Sequence, residues 1–215
     1  MLNSSNRHLE ILSWLNTKKD ITQYTHLQLE KFLYFYEMFN MVDNKTYNIK
    51  GLKAYENGPV YSNVYGDYVY NREELFNRIR SINSDSNLDS NDNLVKSRFL
   101  IETLNDNDLS YLTHQLDMWK CKEKEIKMGV KQIPIYERDI TINDKKMLEQ
   151  IKSGCMDVSN YEVINILDKR FLIDKNIFSN FKREHYQTLE KLSNVEDLDN
   201  PVYIDMSEEG VLLVD

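Results

Sequence analysis

Along the first third of the chain, apolar residues recur at three- and four-residue intervals, the spacing of one helix face. Leu9, Ile11, Leu12 and Leu15 predict a helix from Asn6 to Leu15. Thr25 and Gln28 form a T-x-x-Q pair, the capping box in which two side chains satisfy each other's backbone donors at a helix start. Leu29, Phe32, Leu33, Tyr36 and Phe39 follow at helical spacing and predict a core-facing stripe. Glu30, Lys31 and Glu37 fall off that stripe.

Beyond Asn44 the period weakens. Tyr47, Ile49, Leu52 and Ala54 suggest short extended segments around Gly51. Asn71 and Glu74 then start a helix carried by Leu75, Phe76 and Ile79. Asp108 to Cys121 is amphipathic, with Leu109, Leu112, Leu116 and Trp119 on one side. Asp144 to Lys152 reads as a short helix stopped by Gly154, and Tyr161 to Phe171 and Phe178 to Leu192 read as helices too. At the end, PVYIDMSEEGVLLVD predicts two short strands around Ser207 to Gly210. The sum is a mainly α, compact single domain with a few short strands and a C-terminal hairpin.

Composition changes the picture at two places. Ten of the eleven residues from Asn83 to Asn93 are Asn, Ser or Asp, which predicts a loop that buries nothing. Within it Asp85, Asn87 and Asp89 have the spacing of a calcium-loop start. Ser90 stands where the turn needs Gly and Lys96 where a bidentate Glu should close the site, so no metal is expected. Net charge is −8, and Val195 to Asp215 holds seven acids and no Lys or Arg. The rest is close to neutral, without the basic excess of a nucleic-acid binder. The acidic tail reads as solvated surface or as a patch for a basic partner.

No window approaches the length of a membrane span, and the first residues lack the pattern of a secretory leader, so a cytoplasmic protein is expected. Cys121 and Cys155 lie far apart and read as reduced thiols. His8, His26, His114 and His185 show no metal-ligand spacing. Glu56 and Asp67 are the one carboxylate pairing that chemistry could use, and nothing in the chain sets their distance. No enzyme activity and no cofactor are expected.

The stretch AYENGPVYSNVYGDYVY, from Ala54 to Tyr70, is the most unusual in the chain. Proline disfavours the helical region for the residue before it, so Asn57-Gly58-Pro59 predicts a chain reversal or the start of a helix, with Pro59 in its first turn. Val60, Tyr61, Val64, Tyr65 and Tyr68 would form one wide helical stripe, with Val60, Val64 and Tyr65 in the core. Tyr55, Tyr61, Tyr68 and Tyr70 cannot all share a face. Tyrosine keeps a polar tip on a large apolar body and favours interfaces, so these four, with Asn57, are the candidate partner-binding residues.

The order ILSWLN, THLQLEKFLYFYEMFN, LKAYENGPVYSNVYGDY resembles the Panacea domain, the family of phage-associated GepA-like proteins that includes SocA-type antitoxins. Its first motif matches at Thr25, Leu27, Leu29, Lys31, Leu33, Tyr34 and Phe35, with Phe32 where Leu is common. Its second matches at Ala54, Tyr55, Gly58, Pro59, Val60 and Tyr65. The resemblance covers about residues 9–80. A helical remainder over 96–193 and the acidic hairpin over 195–215 complete the expected chain. The resemblance implies a helical, non-enzymatic antitoxin that neutralises a toxin encoded by the adjacent gene through direct protein–protein binding. It also leaves room for a phage or prophage protein that inhibits a host defence protein. Apart from the resemblance, a hydrolase using Glu56, Asp67 or a tyrosine hydroxyl is the lesser alternative.

Overall fold

The computed structural model describes residues 1–82 and 91–215. The calcium-like residues Asp85, Asn87, Asp89 and Ser90 lie outside the described residues. Helices account for 56% of the described residues and strands for 14%, so the chain is mainly α, as its periodicity predicts.

Helix α1 spans Asn6–Lys18 and α2 spans His26–Val42. The Thr25–Gln28 capping box forms, with Gln28 N–H donating to Thr25 Oγ1 and Thr25 N–H to Gln28 Oε1. Strands β1 (Leu52–Tyr55) and β2 (Gly58–Tyr61) make an antiparallel hairpin with Glu56 and Asn57 at its tip, and β3 (Ile133–Pro134) joins on the β1 side. Helices α3 (Ser62–Tyr70), α4 (Arg72–Ser81), α5 (Asp92–Thr103), α6 (Asp106–His114), α7 (Asp117–Lys127) and α8 (Ile142–Ser153) complete the body. Strands β4 (Tyr161–Ile166) and β5 (Lys169–Asp174), helices α9 (Lys175–Phe178) and α10 (Arg183–Leu192), and strands β6 (Val202–Met206) and β7 (Leu212–Val214) form the C-terminal part. Its sheet runs β4-β5-β6-β7, with β5 and β6 parallel.

Helix α2 is the axis of the body. Every residue from Leu29 to Met41 is buried, because α1, α3, α5, α6, α8 and β2 surround it. Glu30, Lys31 and Glu37, off the predicted stripe, are therefore buried as well. A charge inside such a helix needs partners, since an unpaired buried ion costs several kcal/mol. Glu37 has them: Arg7 donates to it twice, at 2.6 and 2.9 Å, and Asn48 N–H donates at 2.9 Å.

Four further expectations are corrected. Tyr161 to Phe171 is a hairpin, not a helix. Its run of β-branched residues suits strands, and the two-residue turn is built on Leu167 at φ +53°, where glycine or asparagine would have announced it. The predicted helix over 108–121 breaks at Leu116, because the buried Asp144 carboxylate accepts from Asp117 N–H (2.5 Å) and Met118 N–H (3.2 Å) and starts α7 there. The helix expected over Phe178 to Leu192 begins only at Arg183, as α10, and Phe178 closes α9. Of the loop expected over Asn83 to Asn93, residues 83–90 lie outside the described residues, and the expectation that it buries nothing fails at Asn93, which is buried in α5 and donates to Asn40 (3.1 Å) and Asp43 (3.0 Å).

The C-terminal hairpin forms where expected, with Gly210 at φ +80°. It is not an appendage. Val202 and Ile204 join Phe171, Ile173 and Leu189 in a second apolar core.

Candidate functional site

The β1–β2 hairpin places the motif residues, and its own sequence explains its shape. Gly58 has φ +99° and pairs with Tyr55 across a two-residue turn. A β-carbon there would lie 2.3 Å from Lys31 Nζ and 2.4 Å from Thr113 Oγ1, so both the dihedral and the space demand glycine. Pro59 lies in β2, not in a first helical turn, and α3 starts only at Ser62. It is tolerated because β2 is the edge of its sheet, where no ladder donor is missed.

Lys31 is fully buried beneath the turn. Its Nζ donates to Asn57 O (2.8 Å), Thr113 Oγ1 (3.0 Å) and Pro59 O (3.4 Å). Three acceptors around one nitrogen fit an ammonium. Burial pulls its pKa below the ordinary lysine value, while Glu30 pushes it back up. One side chain thus ties α2, the hairpin and α6 together.

Glu30 sits beside it, 1% exposed. Its Oε2 accepts from Tyr61 N–H at 2.8 Å. Its Oε1 is shielded from solvent and has no hydrogen-bond partner among the described residues. Burial pushes the carboxyl up to about 8, against the pull of the Tyr61 N–H and Lys31.

Glu30 also forms part of the wall of a cleft of about 750 Å³. One side carries Tyr55, Tyr65 and His26, with ring centroids 5.6 Å (Tyr55–Tyr65) and 5.9 Å (His26–Tyr65) apart. The other carries Trp119 stacked on His114 at 3.7 Å. Trp119 Nε1–H donates to Tyr55 O at 2.9 Å, which fixes the indole to the hairpin. Glu56, Glu123, Lys127 and the 129–131 segment form the rim. Burial, then the Lys31 charge, lowers the His114 pKa below the ordinary histidine value, and its Nε2 is buried without a hydrogen-bond partner among the described residues.

Of the candidate partner-binding residues, Tyr55 and Asn57 reach this cleft. Tyr61 does not. It is 1% exposed, packs on His8 at 4.3 Å and donates to Asn48 O at 2.7 Å, so it is a core residue. The reason is that β2, not a helix, sets its direction. Tyr68 packs between His26 (5.7 Å) and Phe76 (5.8 Å) with the Arg72 guanidinium over its ring, behind His26 and not itself in the cleft lining. Tyr70 is 83% exposed and stands apart.

Val60 and Val64 are buried as expected, but Tyr65 is half-buried and faces the cleft. Tyr34 is fully buried, its hydroxyl donating to Met118 Sδ at 3.3 Å. Glu56 and Asp67 are not a pair. Asp67 is buried elsewhere and saturated by Asn3 and Ser4, whose N–H groups donate at 2.8 and 2.7 Å, so it anchors the N-terminus. Burial drives the Cys155 thiol up to about 12, which makes it inert.

Glu30, His26, His114 and Trp119 were not singled out from the sequence as functional. One signal was available: Glu30 and Lys31 interrupt an apolar run on both sides, in LQLEKFLYFYEMF. Adjacent charges in such a run point to a buried polar pair rather than to a solvated face.

No protein-family model matches the chain, and no curated protein and no solved structure is found to match it. No helix among the described residues is long and apolar enough to cross a membrane.

Proposed function

We propose that this protein is an antitoxin that acts in the cytoplasm, binding a toxin encoded by the adjacent gene and blocking it by occupation of the cleft beside the β1–β2 hairpin. The observation that carries the reading is the placement of the motif residues. Lys31, Gly58 and Pro59 build the turn, and Tyr55, Val60 and Tyr65 line the cleft that the turn frames. The motifs that resemble the Panacea domain therefore converge on one concave, aromatic surface, the kind of place where binding hot spots concentrate. A standard interface buries about 800 Å² on each partner, and the cleft with its rim can anchor one.

Co-expression tests it. The protein should restore growth to cells making the adjacent gene product and should co-purify with it. Tyr65→Ala should lose both effects while the protein stays folded. Absence of rescue and of a complex would overturn the reading. A phage or prophage protein that inhibits a host defence protein would use the same surface, and the identity of the co-purifying protein separates the two.

A second reading has one observation in its favour. The Glu30 carboxyl, raised to about 8 within a cleft, has the character of a general acid. It lacks a second carboxylate: Asp67 is spent on the N-terminus, and Glu56 and Glu123 stand on the rim. Hydrolytic turnover lost in Glu30→Gln would favour the enzyme.

A further inference from the structure

The C-terminal sheet ends in an open edge. Its order, β4-β5-β6-β7, makes β7 an outer strand. Tyr203 and Asp215 exchange both backbone hydrogen bonds, at 3.0 and 3.1 Å, and Ser207 N–H donates to Val211 O at 2.9 Å. The backbone groups of Val211, Leu213 and Asp215 therefore face β6, and those of Leu212 and Val214 face outwards. An open edge is a template for another strand, and soluble proteins blunt theirs with charge or proline. The run from Val211 to Val214 has neither, and Val211, Leu213 and Val214 are exposed.

Charge selects what the edge accepts. By register, Tyr203, Asp205, Leu213 and Asp215 share one face of the sheet with Tyr161 and Asp174. These six residues line a groove of about 610 Å³. Asp174 Oδ1 accepts from Asn176 N–H (2.8 Å) and Asp205 Oδ1 from Met206 N–H (2.7 Å), so the second oxygen of each is left over. Among the described residues no lysine or arginine lines the groove, and none of the three aspartates is in an ion pair. Lys175, next to Asp174 in the chain, donates instead to Ser159 O at 2.8 Å. The groove thus sets three carboxylates against no cation.

We propose that β7 takes up an extended, basic segment of a partner protein as an added strand. Main-chain bonds to Leu212 and Val214 hold such a strand, and its alternate side chains give selectivity. Lysines or arginines on the groove face reach Asp205 and Asp215 while their stems cover Leu213 and Tyr203. The residues between them are apolar and lie beside Leu212 and Val214. A second copy of this chain fits poorly, because residues 195–215 hold seven acids and no Lys or Arg, and paired edges would set like charges together. The groove shares no lining residue with the cleft, so this surface stands whether or not the cleft binds a toxin.

The test uses the full-length, ¹⁵N-labelled protein and a short blocked peptide of alternating lysine and valine. Two controls accompany it: the same peptide with glutamate for lysine, and the lysine peptide N-methylated throughout, which keeps its charge but cannot pair. The Leu212 and Val214 amides report on the edge. The lysine peptide should shift both saturably and slow their hydrogen exchange at least tenfold, and neither control should do so. The double variant Asp205→Asn, Asp215→Asn keeps an acceptor for Met206 N–H and should weaken binding at least tenfold with the spectrum still dispersed. Val214→Pro removes an outward N–H, leaves the bonds to β6 in place, and should weaken binding at least as much.

No saturable shift with the lysine peptide overturns the inference, as does equal binding of either control or unchanged binding by both variants. Shifts of Leu212 and Val214 that follow protein concentration without any peptide also overturn it, since the edge would then pair with its own copy.

Discussion

The helical body and the C-terminal sheet solve the same problem differently. The sheet covers a small apolar core of Phe171, Ile173, Leu189, Val202 and Ile204, and its buried Lys169 and His185 are supplied by backbone groups. The body threads charge through its centre on α2. Of the five buried side-chain atoms without partners among the described residues, four (His8 Nε2, Glu30 Oε1, Asn93 Oδ1 and His114 Nε2) lie in the body. Two of them belong to residues in the wall of the cleft. Sequences that fold well satisfy their polar groups, and departures concentrate where function needs them. The contrast fits the proposal that the body carries recognition of the toxin.

Truncating each core should give the largest effects. Tyr61→Ala should cost about 3–5 kcal/mol and Leu189→Ala about 2–4 kcal/mol, read by chemical denaturation. Hydrogen exchange should separate them. Leu189→Ala should loosen β4 to β6 and leave the amides of α2 protected. Equal loss of protection in α2 would mean that the two cores unfold as one.

The two hairpins offer a second pairing. Gly58 and Gly210 both have positive φ, but a β-carbon at Gly210 meets nothing within 4 Å. Gly58→Ala should cost about 3 kcal/mol, and Gly210→Ala about 1 kcal/mol, the backbone strain alone. In a chain of this size that difference is about 4–8 °C in the melting temperature by calorimetry. Equal costs would remove the crowding of Lys31 and Thr113 from the account.

The pH dependence of stability sharpens the contrast further. Glu30 has its pKa raised by burial from 4.5 to about 8 in the folded state. Between those values the folded chain holds a proton that the unfolded chain has lost. Stability from this group is therefore present below about pH 4.5 and is lost as pH rises towards 8, by at most about 1.4 kcal/mol per unit. His8 runs the other way. Burial, then Arg7, lowers its pKa to about 4, so its contribution grows as pH rises from 4 to 6.5. The difference between wild type and Glu30→Gln isolates the first effect, and it should widen steadily from pH 5 to 8 in favour of the variant. A flat difference would mean that Glu30 is ionised in the fold.

Tyr70→Ala should give the smallest effect. The residue is 83% exposed, so stability should change by less than about 0.5 kcal/mol. Partner binding should also hold, since Tyr70 lies outside the cleft lining.

Local signals were legible in the chain and long-range ones were not. The Thr25–Gln28 capping box, the helix around Leu75 and Ile79, the stop at Gly154 and the final hairpin all rest on residues close in sequence, and all form. The β4–β5 hairpin was hidden because its turn uses Leu167 in place of glycine. The break before α7 was hidden because its cap comes from Asp144, far along the chain. Glu30 and Lys31 read as off the core face because a helical stripe assumes one dry face, whereas α2 is covered on every side. In the candidate site, the Asn57-Gly58 reversal and Tyr55 were visible beforehand. The opposite wall, His114 and Trp119, arrives from α6 and α7 and has no local signature.

Calorimetric titration of the purified adjacent gene product into wild type, Tyr65→Ala and Tyr70→Ala tests the central claim most directly. The account predicts a one-to-one complex with wild type, binding weakened at least tenfold by Tyr65→Ala, and binding unchanged by Tyr70→Ala. No complex with wild type, or equal binding by wild type and Tyr65→Ala, would contradict it.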